Sequence, residues 1–187
     1  MDILGVLNEH FSVTNSAHLP VIAIHSIYEM LIEQVSQYQG CTLRPLESHQ
    51  ASDLRTGAVG DIEIEDADGV VIEGVEVKHG LRIDQPIVMA AEEKIMKSQI
   101  KRYYILTTHS SCNSGDPEVH TIIRKVYKSH GCQIIPNGVY PTIRYYLRMM
   151  SNPSEFLRRY SDNLAKRSDV TSDQVTRWLA LVDRLKS

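Results

Sequence analysis

Three residues near the middle of the chain have the right types to break a phosphodiester bond together. Asp61 begins one run of alternating apolar residues, and Glu76 and Lys78 lie in the next run with apolar Val77 between them. Carboxylate oxygens are hard ligands that can hold Mg²⁺ and leave positions for water and a phosphate oxygen. A nearby lysine could act as a base, or as an ammonium group that orients the water and stabilises the transition state. These residue types suit metal-assisted phosphodiester hydrolysis.

A β-hairpin is the element that must bring these residues together. Apolar-alternating runs at 61–65 and 70–78 flank Asp68-Gly69. This pair is the residue choice for a tight two-residue turn, so the runs are predicted to pair antiparallel. The facing pairs expected from such a turn are Ala67 with Val70, Ile62 with Val75, and Asp61 with Glu76.

The expected register places like charges opposite each other. Facing residues of antiparallel strands have Cβ atoms about 5 Å apart, so Asp61 and Glu76 would repel unless a cation compensated them. Because strand side chains alternate, Lys78 projects on the same face as Glu76, whereas Val75 and Val77 point to the other face and can enter a core. We therefore expect the hairpin to present two carboxylates and a lysine to one or two divalent cations.

This arrangement resembles the PD-(D/E)xK nuclease superfamily, best known from type II restriction endonucleases. Asp61 matches the first acidic position, and Glu76, Val77 and Lys78 match the E-x-K element, with fourteen residues between Asp61 and Glu76. Gly60 stands where the family name has proline. The resemblance covers residues 21–108 and implies that Asp61, Glu76 and the backbone carbonyl of Val77 bind Mg²⁺, with Lys78 as the catalytic lysine.

The resemblance also implies an activity and its partners. It predicts a Mg²⁺-dependent endonuclease that cuts double-stranded DNA, leaves 5′-phosphate and 3′-hydroxyl ends, and forms a homodimer to cut both strands of a palindromic site. Two alternatives remain open at this stage. One is a structure-specific repair or recombination nuclease with the same core, and the other is a DNA-binding module of this fold without catalysis.

Further residues are candidates for the site and for contacts with DNA. The chain has a net charge of −3, but residues 1–120 contain eight Lys and Arg against eighteen Asp and Glu, and residues 121–187 contain twelve against five. A basic half would supply nonspecific contacts with phosphates. The DNA-binding candidates are Arg55, Arg144 and Arg148, and Glu29, beside the apolar stripe of a predicted helix, is an accessory site candidate.

The order of predicted elements indicates an α/β protein with a mixed central sheet flanked by helices, as in a restriction-endonuclease-like core. We expect a single nuclease domain over residues 1–187, with a core at about 21–136 and a basic helical C-terminal part at about 139–187. Residues 1–20 show little periodicity. The predicted helices lie at 21–38, 87–99, 118–129, 142–150, 154–166 and 172–185, and the predicted strands beyond the hairpin lie at 41–46, 101–108 and 132–135. The helix at 87–99 is expected to cross over from the hairpin to a parallel strand at 101–108.

Several other classes of function lack their residue patterns. The sequence has no HExxH spacing for a histidine zinc site, no Walker loop and no GxGxxG. Three cysteines without a CxxC pair suggest reduced thiols. No run approaches the roughly 18 apolar residues of a membrane span, so we expect a cytoplasmic protein. The simplest interpretation of the other hairpin acids, Glu63, Glu65, Asp66 and Glu73, is surface charge.

Overall fold

The central element is a five-stranded mixed sheet whose strand order in space is the same as the order in the chain. The computed structural model describes residues 2–46, 57–111 and 115–186. The strands are β1 (Thr42–Leu43), β2 (Ile62–Glu65), β3 (Val71–Lys78), β4 (Arg102–Thr107) and β5 (Gln133–Gly138). β1, β2 and β3 pair antiparallel in turn, and β3, β4 and β5 pair parallel in turn. The prediction of an α/β fold with a mixed sheet is confirmed.

Helices cover both faces of this sheet. Within the described residues the α-helices are α1 (Ile3–Phe11), α2 (His18–Gln34), α3 (Gln85–Ile95), α4 (Pro117–His130), α5 (Val139–Met149), α6 (Ser154–Ala165) and α7 (Ser172–Lys186), and Ser36–Tyr38 forms a 3₁₀ turn. Two of these helices, α3 and α4, connect parallel strands. The predicted crossover between the hairpin and the following parallel strand is therefore present as α3.

The turn of the hairpin differs from the predicted two-residue turn. The N–H of Gly69 donates to the carbonyl of Asp66, and the N–H of Asp66 donates to the carbonyl of Val70. Three residues, 67–69, therefore lie between the paired residues, and Ala67 does not face Val70. Gly69 has a φ of +76°, which explains why glycine is favoured as the last turn residue.

A β-bulge restores the register that the longer turn would have shifted. Glu65 pairs with Val71, but Ile64 pairs with Glu73, so Ile72 is an extra residue on β3. An extra residue on one strand changes the pairing by one position. Beyond the bulge, Ile62 pairs with Val75 as predicted.

Two hydrophobic clusters lie on opposite faces of the sheet. One contains Val75 and Val77 together with residues of α1, α2, α5, α6 and α7, so the C-terminal helices share a core with the N-terminal ones. The other packs α3 and α4 against Tyr103 and Ile105 of β4. The prediction that Val75 and Val77 enter a core is confirmed, and the face that carries Glu76 is covered by α3.

The N-terminus contains a helix that the sequence analysis did not predict. Helix α1 buries Ile3, Val6, Leu7, His10 and Phe11, which is the i, i+3, i+4 pattern of an amphipathic helix. The Asp2 side chain accepts a hydrogen bond from Gly5 N–H and caps the first turn. The interpretation of residues 1–20 as lacking periodicity was therefore wrong.

Two of the acids assigned to the surface are buried. Glu63 is 3% exposed; it accepts a hydrogen bond from the Val59 N–H and forms an ion pair with Arg44. Glu73 is fully buried. Buried carboxylates are stable only where donors satisfy them, so both residues are structural parts of the hairpin and its neighbours. Among the cysteines, Cys41 and Cys132 are free thiols, and Cys112 lies outside the described residues.

Glu73 has three partners drawn from three elements. Its Oε1 accepts hydrogen bonds from the hydroxyls of Tyr28 at 2.7 Å and Tyr38 at 2.9 Å, and its Oε2 lies 2.5 Å from Nε of Arg102. Burial and the charge of Glu73 raise the pKa of Tyr28 and of Tyr38, so both phenols stay protonated as donors. The cluster ties β3 to α2, to the 3₁₀ turn and to β4.

His10 makes the stability of the fold dependent on pH. It is fully buried, with Nε2 donating to the Gln174 carbonyl at 2.9 Å and Nδ1 lying 3.1 Å from the Tyr160 hydroxyl. Burial lowers its pKa from 6.5 to about 4, although the Gln174 carbonyl opposes this shift. Because the unfolded chain binds the proton more readily, the contribution is complete above pH 6.5 and is lost as the pH falls towards 4.

We expect the free energy of unfolding to fall by about 2 kcal/mol between pH 7.5 and pH 5 on account of His10 alone. The measurement is urea unfolding at both pH values. His10→Gln should reduce this pH dependence by about that amount, whatever its effect on stability at pH 7.5. His120→Gln is the matched control because His120 is exposed on α4. An unchanged pH dependence in His10→Gln would contradict the assignment.

Candidate active site

Glu76 and Lys78 project from β3 towards α3. The Nζ atom of Lys78 lies 2.5 Å from Oε1 of Glu76. A second ammonium group, that of Lys94 on α3, lies 2.7 Å from Oε2 of the same carboxylate. Glu76 and Lys78 lie on the same face of β3, as predicted, and each oxygen of Glu76 has its own cation.

Asp61 immediately precedes β2, at the end where that strand meets the end of β3. Its Oδ2 accepts a hydrogen bond from the Val77 N–H at 2.7 Å. The N–H and C=O of one strand residue point towards the same neighbouring strand, so the Val77 carbonyl also points to the Asp61 side. The pairing of Ile62 with Val75, extended by one residue, brings Asp61 opposite Glu76. The structure therefore brings Asp61, Glu76, Val77 and Lys78 together.

Gly60 allows this approach of the two strands. A Cβ atom added at Gly60 would lie 2.8 Å from the Val75 carbonyl oxygen, which is closer than real Cβ atoms come. Proline also carries a Cβ, so it would collide in the same way. The close packing of the two backbones therefore explains why glycine stands here, where the family name has proline.

The two carboxylates have opposite shifts in pKa. Burial disfavours the charged form of Glu76, but the ammonium groups of Lys94 and Lys78 outweigh it and hold the pKa of Glu76 below its usual value. The protein atoms packed around the carboxyl group of Asp61 and the charge of Glu76 together raise the pKa of Asp61, while Lys78 and Lys94 oppose this less strongly. Asp61, which still has solvent-exposed surface, is the carboxylate most in need of a further cation.

Lys94 and Tyr103 belong to the site, and the sequence analysis missed both. The Tyr103 hydroxyl donates to the Val59 carbonyl at 2.8 Å and lies 3.1 Å from Oε2 of Glu76. Burial and the charge of Glu76 raise the pKa of Tyr103, so it remains a donor. A signal for Lys94 existed in its position beside the apolar stripe Val88, Ala91 and Ile95 of α3, on a helix predicted to cross over this strand.

A small cavity opens beside the carboxylate of Glu76. Its volume is about 210 Å³, and it is lined by Glu76, Lys78, Lys94 and Tyr103 together with apolar residues of α3 and β4. Its polar residues are those of the site, and its other walls are apolar. A small anionic group entering this cavity would meet two ammonium groups and a phenol as well as the carboxylate of Glu76.

His79 fixes the end of β3 that carries the site. Its Nδ1 lies 2.9 Å from the Thr108 hydroxyl and its Nε2 lies 3.2 Å from the Ser16 hydroxyl. Ser16 donates to the Phe11 carbonyl, and Thr108 accepts from Gly80 N–H. His79, the residue after Lys78, therefore links the end of β3 to the loop after α1 and to the end of β4.

Glu29 lies in a different place from the hairpin carboxylates. Its Oε2 accepts a hydrogen bond from Asn163 of α6 at 2.9 Å, and its Oε1 lies 3.8 Å from Nδ1 of His25. These residues line a separate cavity of about 700 Å³ with cationic residues of α6. In the part of the chain that the structure describes, Glu29 makes no contact with Asp61, Glu76 or Lys78.

The DNA-binding candidates have different locations. Arg144 and Arg148 are exposed on α5, and neither forms an ion pair with any described residue. Arg55 lies outside the described residues. Among the described helices, none combines the length and hydrophobicity that a membrane crossing requires.

Comparison with models of known protein families gives no match, and comparison with curated proteins gives none either. Function must therefore be inferred from the site itself. Within residues 2–46, 57–111 and 115–186 there is no group of three or more His, Cys, Asp and Glu side chains arranged around one point. Two carboxylates and a backbone carbonyl form an all-oxygen donor set that could still hold a hard cation, with water and a substrate phosphate completing it.

Proposed function

We propose that the protein is a Mg²⁺-dependent DNA endonuclease of the PD-(D/E)xK type. The observation that carries the proposal is the meeting of Asp61 with the β3 segment Glu76, Val77 and Lys78, held by the 2.7 Å hydrogen bond from Val77 N–H to Asp61. The order of elements supports the finer fold assignment, a restriction-endonuclease-like core. An antiparallel hairpin is followed by the crossover helix α3 and then by the parallel strand β4.

Each residue has a distinct role in the proposed reaction. Asp61, Glu76 and the Val77 carbonyl would hold Mg²⁺, which when bound neutralises phosphate charge and lowers the pKa of water. Lys78 would either take a proton from the attacking water or orient it as a charged ammonium group. Val75 and Val77, buried on the opposite face, keep β3 in place so that these side chains need little reordering.

The substrate class is proposed from the excess of basic residues in 121–187 and from the chemistry of the site. We propose double-stranded DNA, with Arg144 and Arg148 on α5 as phosphate contacts, because both are exposed and have no acidic partner among the described residues. A homodimer would allow both strands of a palindromic site to be cut, with one site on each strand. A cytoplasmic location would give such an enzyme access to DNA.

Incubation of the purified protein with supercoiled plasmid and Mg²⁺ tests the proposal. We expect conversion to nicked and linear forms, with discrete fragments on longer digestion, and no reaction in EDTA. Cutting confined to branched or junction DNA would instead identify a structure-specific nuclease. Absence of cleavage on all of these DNAs, with Mg²⁺ or Mn²⁺, would reject the catalytic proposal.

One observation favours a second candidate function, a DNA-binding module without catalysis. Both carboxylate oxygens of Glu76 are already paired with ammonium groups, at 2.5 Å and 2.7 Å. If both ion pairs persist when metal is added, Glu76 has little capacity left to bind the metal ion. Retention of duplex DNA on the protein in a gel-shift assay without cleavage in the plasmid assay would support this function.

A further inference from the structure

Lys94 pairs with a carboxylate oxygen of Glu76 that a bound metal ion would need. Its Nζ lies 2.7 Å from Oε2 of Glu76, and Lys78 occupies the other oxygen. A cation bound through Glu76 must therefore share or replace one of these contacts. A carboxylate that already has an ammonium partner binds a second cation less strongly, because the new ion must compete with the first.

Lys94 can move away from the Glu76 carboxylate more easily than Lys78 can. The two side chains are 39% and 30% exposed, respectively. Lys78 lies two residues from Glu76 on the same strand, which keeps its side chain beside the carboxylate. Lys94 reaches the carboxylate from the last turn of α3, and its stem lines the open 210 Å³ cavity. A rotation of its flexible side chain would free Oε2 without moving a strand.

We propose that Lys94 competes with the metal for Glu76 and is drawn away by a DNA phosphate, so that DNA and metal strengthen each other's binding. This inference rests on the proposed nuclease function. A phosphate in the cavity beside Glu76 would offer Lys94 an alternative anion. Once Lys94 moves, Oε2 is available to the cation, and by thermodynamic linkage the gain in metal affinity equals the gain in DNA affinity.

The first test measures metal binding directly, without activity. Isothermal titration of the metal-free protein with Ca²⁺ should show tighter binding to Lys94→Met than to the wild type, by about tenfold, because the competing cation is removed. Lys97→Met is the matched control, since Lys97 is exposed just beyond α3 and forms no ion pair with any described residue. Its Ca²⁺ affinity should equal that of the wild type.

The second test measures the coupling between the two ligands. Ca²⁺ titrations are repeated with a saturating duplex oligonucleotide for the wild type, Lys94→Met and Lys94→Arg. DNA should raise the Ca²⁺ affinity of the wild type and of Lys94→Arg by a larger factor than that of Lys94→Met. Any metal bridging between protein and phosphate is common to all three proteins, so the difference isolates Lys94.

The outcomes separate this inference from the proposed function. If the wild type cleaves plasmid but Lys94→Met binds Ca²⁺ no more tightly and keeps the full coupling, the role of Lys94 is rejected and the nuclease assignment stands. If the wild type neither binds Ca²⁺ nor cleaves DNA, both proposals are rejected. Circular dichroism melting verifies that Lys94→Met is folded, and Lys94→Arg tests the charge without removing the side chain.

Discussion

Lys78→Ala is expected to cleave DNA about 10² to 10⁴ times more slowly than the wild-type protein. Loss of a base or of a charged group that stabilises the transition state has effects of about 10² to 10⁴ in rate, and Lys78 is the lysine of the E-x-K element. The side chain is 30% exposed and lies on the face of β3 opposite the buried Val77, so its removal should leave the fold intact. The measurement is the single-turnover rate on plasmid DNA in Mg²⁺.

Two controls distinguish the loss of a catalytic group from the loss of DNA binding and from a general effect of removing a lysine. Binding of duplex DNA to Lys78→Ala in Ca²⁺ should stay close to that of the wild type, and Lys97→Ala should cleave at the wild-type rate. Lys78→Arg then separates the two possible roles. Arginine keeps the positive charge but cannot act as a base near neutral pH, so substantial activity would favour the electrostatic role. Full activity in Lys78→Ala would reject the assignment of this site.

Glu73→Ala is expected to lower the free energy of unfolding by about 3 to 5 kcal/mol. The change leaves the buried Tyr28 and Tyr38 hydroxyls and the Arg102 guanidinium, which is 30% exposed, without their common acceptor. Removing one partner of a buried ion pair has effects of about this size. Domain stabilities are typically about 5 to 15 kcal/mol, so the loss is a large fraction of the total. Urea unfolding followed by circular dichroism measures it.

The cause of that loss can be tested with a double replacement. Glu73→Leu combined with Arg102→Leu removes both charges and should recover part of the stability, because an apolar pair avoids the uncompensated guanidinium. Glu93→Ala is the control, since Glu93 is exposed on α3 and should change stability by less than about 0.5 kcal/mol. A loss below about 1 kcal/mol in Glu73→Ala would show that water replaces the carboxylate.

The residues of the candidate site and the pairing of the hairpin strands could be predicted because both depend on patterns within a short stretch of sequence. Alternation of apolar residues identified β2 and β3, and it assigned Val75 and Val77 to the core and Glu76 and Lys78 to the other face. The pairing of Ile62 with Val75 was predicted from a turn of the wrong length. That prediction is confirmed only because the bulge at Ile72 compensates for the additional turn residue.

The residues that were missed depend on contacts between distant parts of the chain. Lys94 reaches Glu76 across eighteen positions and Tyr103 reaches it across twenty-seven. The direction of α3 over the sheet decides the first contact, and the parallel pairing of β3 with β4 decides the second. Likewise, the spacing of charges in the hairpin gives no indication that Glu73 meets two tyrosines from α2 and the 3₁₀ turn. Composition makes an acidic hairpin look exposed, whereas tertiary packing places two of its acids inside.

The bulge at Ile72 also restricts how this hairpin can change length. Side chains alternate between the two faces of the sheet. The register of strand pairing therefore decides which residues reach α3 and which enter the core against α2. Compared with a two-residue turn and no bulge, the three-residue turn shifts the strand pairing by one residue. The bulge shifts the pairing back by one residue. At the present chain length, loss of either feature alone would exchange the roles of Glu76 and Val77. A variant that lacks one of them keeps the register only if one residue between Ile64 and Glu73 is also deleted.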